Sequence, residues 1–274
     1  MDFGLPLSEL LWLLAFMICG GFIMGVLAGL LGIGGGGILV PILYEIFSAI
    51  GVSEDILMHM CVGTSLAIIM PTSIRSFLSH KAKGAVDMDI VRSMAVPVVV
   101  GVVIGALVAR YSDATVLTAI WAGAASLMSL KLFLGRESWK LGDDVPGNPW
   151  RAVYGLFVGA ISTLMSIGGG AFITMMMTLY GRPIHQAVGT SSGFGPMIAI
   201  PGTIGFVWAG WGVAGTPPGT LGYVSVLSAL IIIPVSVLAA PLGVRLAHDI
   251  SRRRLELAFA SFLALIALRF FLTL

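Results

Sequence analysis

Two strings with chemical capacity each occur twice in this chain. His-x-x-Val-Gly-Thr-Ser runs from His59 to Ser65 and again from His185 to Ser191, an offset of 126 residues. Ile-Gly-Gly-Gly runs from Ile33 to Gly36 and from Ile167 to Gly170, and Gly37 extends the first copy. Contiguous glycines resist helix formation, since each costs about 1 kcal/mol relative to alanine. They leave backbone N–H groups free and let a ligand approach the main chain closely. A helix that follows them presents its positive N-terminal end to an anion. Thr64, Ser65, Thr190, Ser191 and the adjacent Ser192 can add neutral hydroxyl donors. The chemistry these residues favour is recognition of a small oxyanion by the backbone of Gly34, Gly35, Gly36 and Gly37 and of Gly168, Gly169 and Gly170, assisted by those hydroxyls. The bland alternative is a hydroxyl bonded back to a carbonyl one turn earlier. Repetition at matching positions favours the substrate role.

Other polar residues are candidates of a second kind. His59 and His185 share an offset before their hydroxyls and can carry protons near neutral pH. Glu45 stands in a short apolar segment and is a candidate proton acceptor or an interfacial residue. Arg75 lies about three turns beyond Thr64 and can draw anions toward the site or reach to the headgroups. Trp208 and Trp211 read as interfacial aromatics. Met175, Met176 and Met177 read as packing residues rather than copper ligands.

The elements that must position these residues follow from composition. Hydrophobic residues make up 58% of the 274 residues, charged residues 10%, and mean hydropathy is +1.03. A soluble domain is about 25% charged, so the chain is read as an integral membrane protein. Its apolar stretches match a hydrocarbon core about 30 Å thick and lack the alternation of a barrel. The expected fold is all-α, with five apolar segments per half. They fall near 10–31, 38–50, 57–79, 90–110 and 115–134, then 150–166, 171–181, 185–209, 219–241 and 254–273. The first repeat is 1–134, the polar linker 135–149 and the second repeat 150–274. The second segment of each half is too short to cross alone, so each is expected to form a glycine-broken or re-entrant pair with its predecessor. Pro71, Pro196 and Pro201 follow the hydroxyl strings and would kink their helices.

Basic residues set the orientation. With the N-terminus outside, thirteen of the fifteen lysines and arginines fall on the inner side, and only Arg110 and Arg269 outside. An odd number of segments per half makes the repeat inverted, with both termini outward. The N-terminal segment lacks a basic leader region and is expected to remain as a helix.

Several functions are disfavoured. Gly32 to Gly37 satisfies a dinucleotide fingerprint without the βαβ context that gives it meaning. There is no phosphate loop, no catalytic constellation, no metal-spaced cluster and no basic face for nucleic acid. No enzyme activity, cofactor or metal is expected. Cys19 and Cys61 read as small core residues.

Together the residues resemble the sulfite exporter TauE/SafE family, also called the toluenesulfonate uptake permease family. The resemblance rests on Gly25, Gly29, Gly32 to Gly36, Gly63-Thr64-Ser65, Gly84, Ile167 to Gly170 and Gly189-Thr190-Ser191, and covers nearly the whole chain. It implies a bacterial inner-membrane carrier of small sulfur-containing anions such as sulfite, sulfoacetate or other sulfonates. The second half departs by lacking a glycine matching Gly32. The expected partners are that anion and membrane lipid, with a homodimer left open. The rivals are a passive anion channel with the same site, a membrane-embedded enzyme or assembly subunit, and a cation importer. The last would need more intramembrane acids than Glu45.

Overall fold

The computed structural model describes residues 6–31, 35–135, 140–246 and 252–274. In lipid every backbone polar group must find an internal partner, and the apolar segments accordingly coil. The first half contains α1 (Leu7–Leu31), α2 (Gly36–Ala49), α3 (Glu54–Ala82), α4 (Met88–Tyr111) and α5 (Ala114–Leu134). The second contains α6 (Trp150–Met165), α7 (Gly170–Leu179), α8 (Ile184–Ser192) and α9 (Phe194–Ala209). A short hairpin, β1 (Thr220–Leu221) and β2 (Val224–Ser225), then leads into α10 (Val226–Leu246) and α11 (Arg252–Thr273). Among the described residues, seven spans are long and apolar enough to cross a membrane, α8 and α9 together making one of them. Helices α2, α6 and α7 are apolar but shorter.

Two departures from the expected segments have local causes. The segment expected at 185–209 divides at Gly193, where the helix hydrogen bonding lapses between α8 and α9. The segment expected from 219 begins instead as the hairpin, whose Gly219 and Gly222 take left-handed conformations.

Helices of the two halves cross where glycines let backbones touch. Gly21 meets Ile232, Gly25 meets Ser236 and Gly243 meets Val26, so α1 and α10 run parallel. Gly101 meets Leu156, Gly105 meets Ala160 and Gly159 meets Val98, so α4 and α6 also run parallel. Helix α3 is the most enclosed span and runs antiparallel to α9, with Gly202 against Leu66 and Gly195 against Ser73. Helices α5 and α11 pair antiparallel through Ser129 Oγ, which donates to the Ala260 carbonyl at 2.7 Å, and through Trp121 edge-on to Phe270.

Basic residues at helix ends do more than mark a side. Arg253 donates to the Leu132 and Phe133 carbonyls and so caps the C-terminus of α5. Arg151 donates to the Pro146 and Val145 carbonyls, and Arg182 pairs with Asp144 at 2.7 Å, which docks the linker onto α6 and α7. Lys140 pairs with Asp143 and holds its carboxyl below the usual carboxylate range. Arg110 lies 3.8 Å over the Trp208 ring and donates to the Trp208 carbonyl.

Candidate functional site

Both glycine strings end at the start of a helix. Gly35 precedes α2 with φ +76°, and Gly169 precedes α7 with φ +71°. Both conformations are left-handed, which glycine adopts without steric cost. Neither helix has a side-chain cap, so first-turn N–H groups are left to other partners. The break is narrower than a wholly unwound run. Gly36, Gly37 and Gly170 are already helical, and Gly34 lies outside the described residues. The residue matching Gly32 is Ser166, and it too is left-handed, with φ +54°. The absence of a side chain on Gly36 is required by packing: a Cβ there would fall 1.5 Å from the Ser166 carbonyl oxygen and 2.8 Å from Ile69 Cδ1.

The two Gly-Thr pairs hold the halves together. Thr64 Oγ1 accepts from the Ser225 N–H at 2.9 Å, and Thr190 Oγ1 accepts from the Asp87 N–H at 2.8 Å. In each case the donor is the backbone leading into the fourth long segment of the opposite half. The preceding Gly63 and Gly189 lie against that same stretch, at the Tyr223 and Ala85 carbonyls. A hydroxyl that accepts retains its own proton to donate, so this geometry adds an inter-half role to the expected one.

The serines that follow differ. Ser191 Oγ accepts from Thr174 Oγ1 at 3.0 Å and donates to the Val188 carbonyl. Ser192 Oγ donates to the Gly189 carbonyl at 2.6 Å. Ser65 Oγ is fully buried and has no hydrogen-bond partner among the described residues.

A small, partly open recess lies beside the second glycine string. It is lined by Gly168, Ser192 and Gly195 from the second half and by Ala28, Thr72, Ser73 and Ser76 from the first. All these residues are neutral. Thr72 Oγ1 lies 3.0 Å from Ser236 Oγ, and Ser73 Oγ donates to the Met70 carbonyl. Ser76 is buried with its hydroxyl unpartnered among the described residues. Of the expected site residues, the recess gathers Gly168 and Ser192. Ser65, Thr72 and Ser76 recur on one face of α3, a stripe legible as hydroxyls spaced by 7 and 4 residues, and Thr72, Ser73 and Ser76 belong to no repeated string.

The remaining candidates are placed elsewhere. Arg75 is exposed on α3 and does not line the recess. His59 is buried, with Nε2 2.9 Å from the Ala109 carbonyl and 3.1 Å from that of Ser112, at the end of α4, and its ring lies against Tyr223. His185 is exposed at the start of α8. Glu45 pairs with Arg269 of α11 at 2.6 Å, both partly exposed. No cluster of metal-ligating side chains occurs among the described residues.

The family model described as sulfite exporter TauE/SafE matches residues 17–270 of this chain. The chain belongs to the sulfite exporter TauE/SafE family. It is a multi-pass membrane transporter of that type. A probable membrane transporter protein of Haemophilus influenzae is 31% identical over 252 residues, covering 92% of this chain and 96% of its own. A probable membrane transporter protein of Methanocaldococcus jannaschii is 29% identical over 264 residues, covering 95% and 96%. The probable membrane transporter protein YdhB of Bacillus subtilis is 29% identical over 196 residues, covering 69% and 77%. No solved structure matches significantly.

Proposed function

We propose that the protein is a secondary transporter that exports small sulfur-containing oxyanions, such as sulfite, sulfoacetate or other sulfonates, across the bacterial inner membrane. The observation that carries the reading is the recess. It joins the glycine break before α7 to hydroxyls of α3, with Ser76 unpartnered and no charge in its lining. Neutral donors suit a carrier, because they bind an anion weakly enough to release it. The inside-negative potential favours anion export by about 2.3 kcal/mol per charge per 100 mV.

The halves act as inverted repeats, with both termini periplasmic and α2 and α7 re-entrant. The reciprocal helix pairing supports this. Exchanging the halves turns the α1–α10 pair into the α6–α4 pair and returns α5–α11 to itself. Rocking of one unit against the other then exposes the recess to each side in turn. Arg75 on the exposed face of α3 attracts anions toward it, and His59, His185 and Glu45 are candidates for proton coupling or gating.

Calorimetry on the purified chain with sulfite, sulfate, sulfoacetate, taurine and acetate tests the ligand class. Binding of the sulfur oxyanions is expected, and binding of only cations or neutral solutes overturns the proposal. In vesicles, labelled sulfite should exchange faster when unlabelled sulfite is present on the far side. A flux indifferent to the far side would make the protein a passive anion channel.

A further inference from the structure

Three fully buried hydroxyls lie near the first glycine break without a hydrogen-bond partner among the described residues: Ser65 of α3, and Ser162 and Ser166 at the end of α6. Ser162 and Ser166 are four residues apart, about one helical turn. The turn of α3 that carries Ser65 lies against the same stretch of α6. Gly202 of α9 packs against both Leu66 and Thr163, and Gly36 packs against both Ile69 and Ser166. A buried hydroxyl with no partner is destabilising, and three in one neighbourhood are unusual in packing alone.

We propose that Ser65, Ser162 and Ser166 form a second, occluded oxyanion station, deeper than the recess. Its ligand class rests on the function proposed above. Three backbone carbonyls of this neighbourhood are already engaged. The Ser162 carbonyl accepts from the Ile167 N–H, the Thr163 carbonyl from the Ser166 N–H, and the Met165 carbonyl from Trp121 Nε1. No carboxylate occurs in residues 65–69 or 162–166, and Glu45, farther along α2, is paired with Arg269. A cation would therefore find no counter-charge here. An anion would find three hydroxyl protons and, at Gly36, the uncapped positive end of α2.

The route from the recess is set by α3. Ser65, Ile69, Thr72 and Ser76 follow one another at helical spacing on one face. Thr72 and Ser76 line the recess, Ser65 belongs to the station, and Ile69 stands between them with Cδ1 against Gly36. Movement of the Ile69 side chain opens the passage.

The test is thermal unfolding of the full chain in detergent, read as Tm against sulfite concentration for wild type, Ser65→Ala and the double variant Ser162→Ala/Ser166→Ala. Removing an orphaned hydroxyl should raise Tm without sulfite. If the station holds the anion, the sulfite concentration for a half-maximal Tm rise should increase at least tenfold. Val40→Thr, at the position matching Thr174 that bonds Ser191, is expected to offer Ser65 a hydroxyl and to raise that concentration while keeping every serine in place. A higher Tm with unchanged sulfite dependence in all three variants overturns the station and leaves the proposed function standing. Absence of any sulfite, sulfate or sulfoacetate effect on wild type overturns both.

Discussion

In the first half, Val-Gly-Thr-Ser ends in a serine whose hydroxyl has no partner among the described residues. In the second half the same four residues end in a serine held by Thr174. The threonines before them behave alike, each accepting a backbone N–H from the opposite half at 2.8–2.9 Å. The strings also differ at the position of the serine's partner. Thr174 matches Val40 at the offset relating Ile167 to Ile33, and valine carries no hydroxyl. The histidines diverge as well: His59 is buried against the end of α4, and His185 is exposed. The contacts that join the halves are thus alike in the two strings, and the serines beside them are not. Each threonine is thus a staple between the halves.

The largest test of this contrast is at the glycine break. Gly36→Ala would place a methyl on the Ser166 carbonyl, and should destabilise the chain by about 3 kcal/mol or more, the upper range for overpacking. Gly123→Ala, with open space around its Cβ, should leave Tm unchanged or raised. Equal Tm values for these two variants would falsify the close approach of α2 to α6.

The shared staple comes next. Thr64→Val and Thr190→Val each strand a backbone N–H, at a cost of about 1–3 kcal/mol. The two losses should match within error in chemical unfolding. A loss confined to one variant would break the equivalence of the halves.

Val40→Thr should sharpen the contrast by erasing it. Supplying a partner to Ser65 is expected to stabilise the chain by about 1 kcal/mol. Thr174→Val should lose a comparable amount in the other half. A destabilised Val40→Thr would show that position 40 does not face Ser65.

The smallest effect is expected at the histidines. His59→Gln disturbs bonds to the Ala109 and Ser112 carbonyls and should cost about 0.5–1.5 kcal/mol, with a smaller shift for His185→Gln. If the pH profile of sulfite flux is unchanged in both variants, neither histidine relays protons.

Much of the helix layout could be read from the residues. The expected segments 90–110 and 115–134 fall within a few residues of α4 and α5, because hydropathy and the turn formers between them are local signals. The start of α7 at Gly170 was similarly visible in its glycine string. The hairpin before α10 was hidden by its apolar neighbours, and the break at Gly193 by the continuous apolar pattern around it. The recess was half visible. Gly168 belonged to a repeated string and Ser192 adjoined one, but Thr72, Ser73 and Ser76 occur once and carry no duplicate to mark them. Arg253 read as an orientation signal, and its capping of α5 depends on a helix end 121 residues earlier.

The sequence by itself determined that the chain is helical and spans a membrane, because a backbone in lipid must satisfy its hydrogen bonds within each segment and the apolar runs have the length to do so. It also carried two strings that each occur once in either half. Which hydroxyl is engaged and which is left over was decided only by tertiary structure. Thr64 meets Ser225 across 161 residues and Thr190 meets Asp87 across 103. Such pairings depend on how closely helices from the two halves can approach, and a string of residues does not carry that distance.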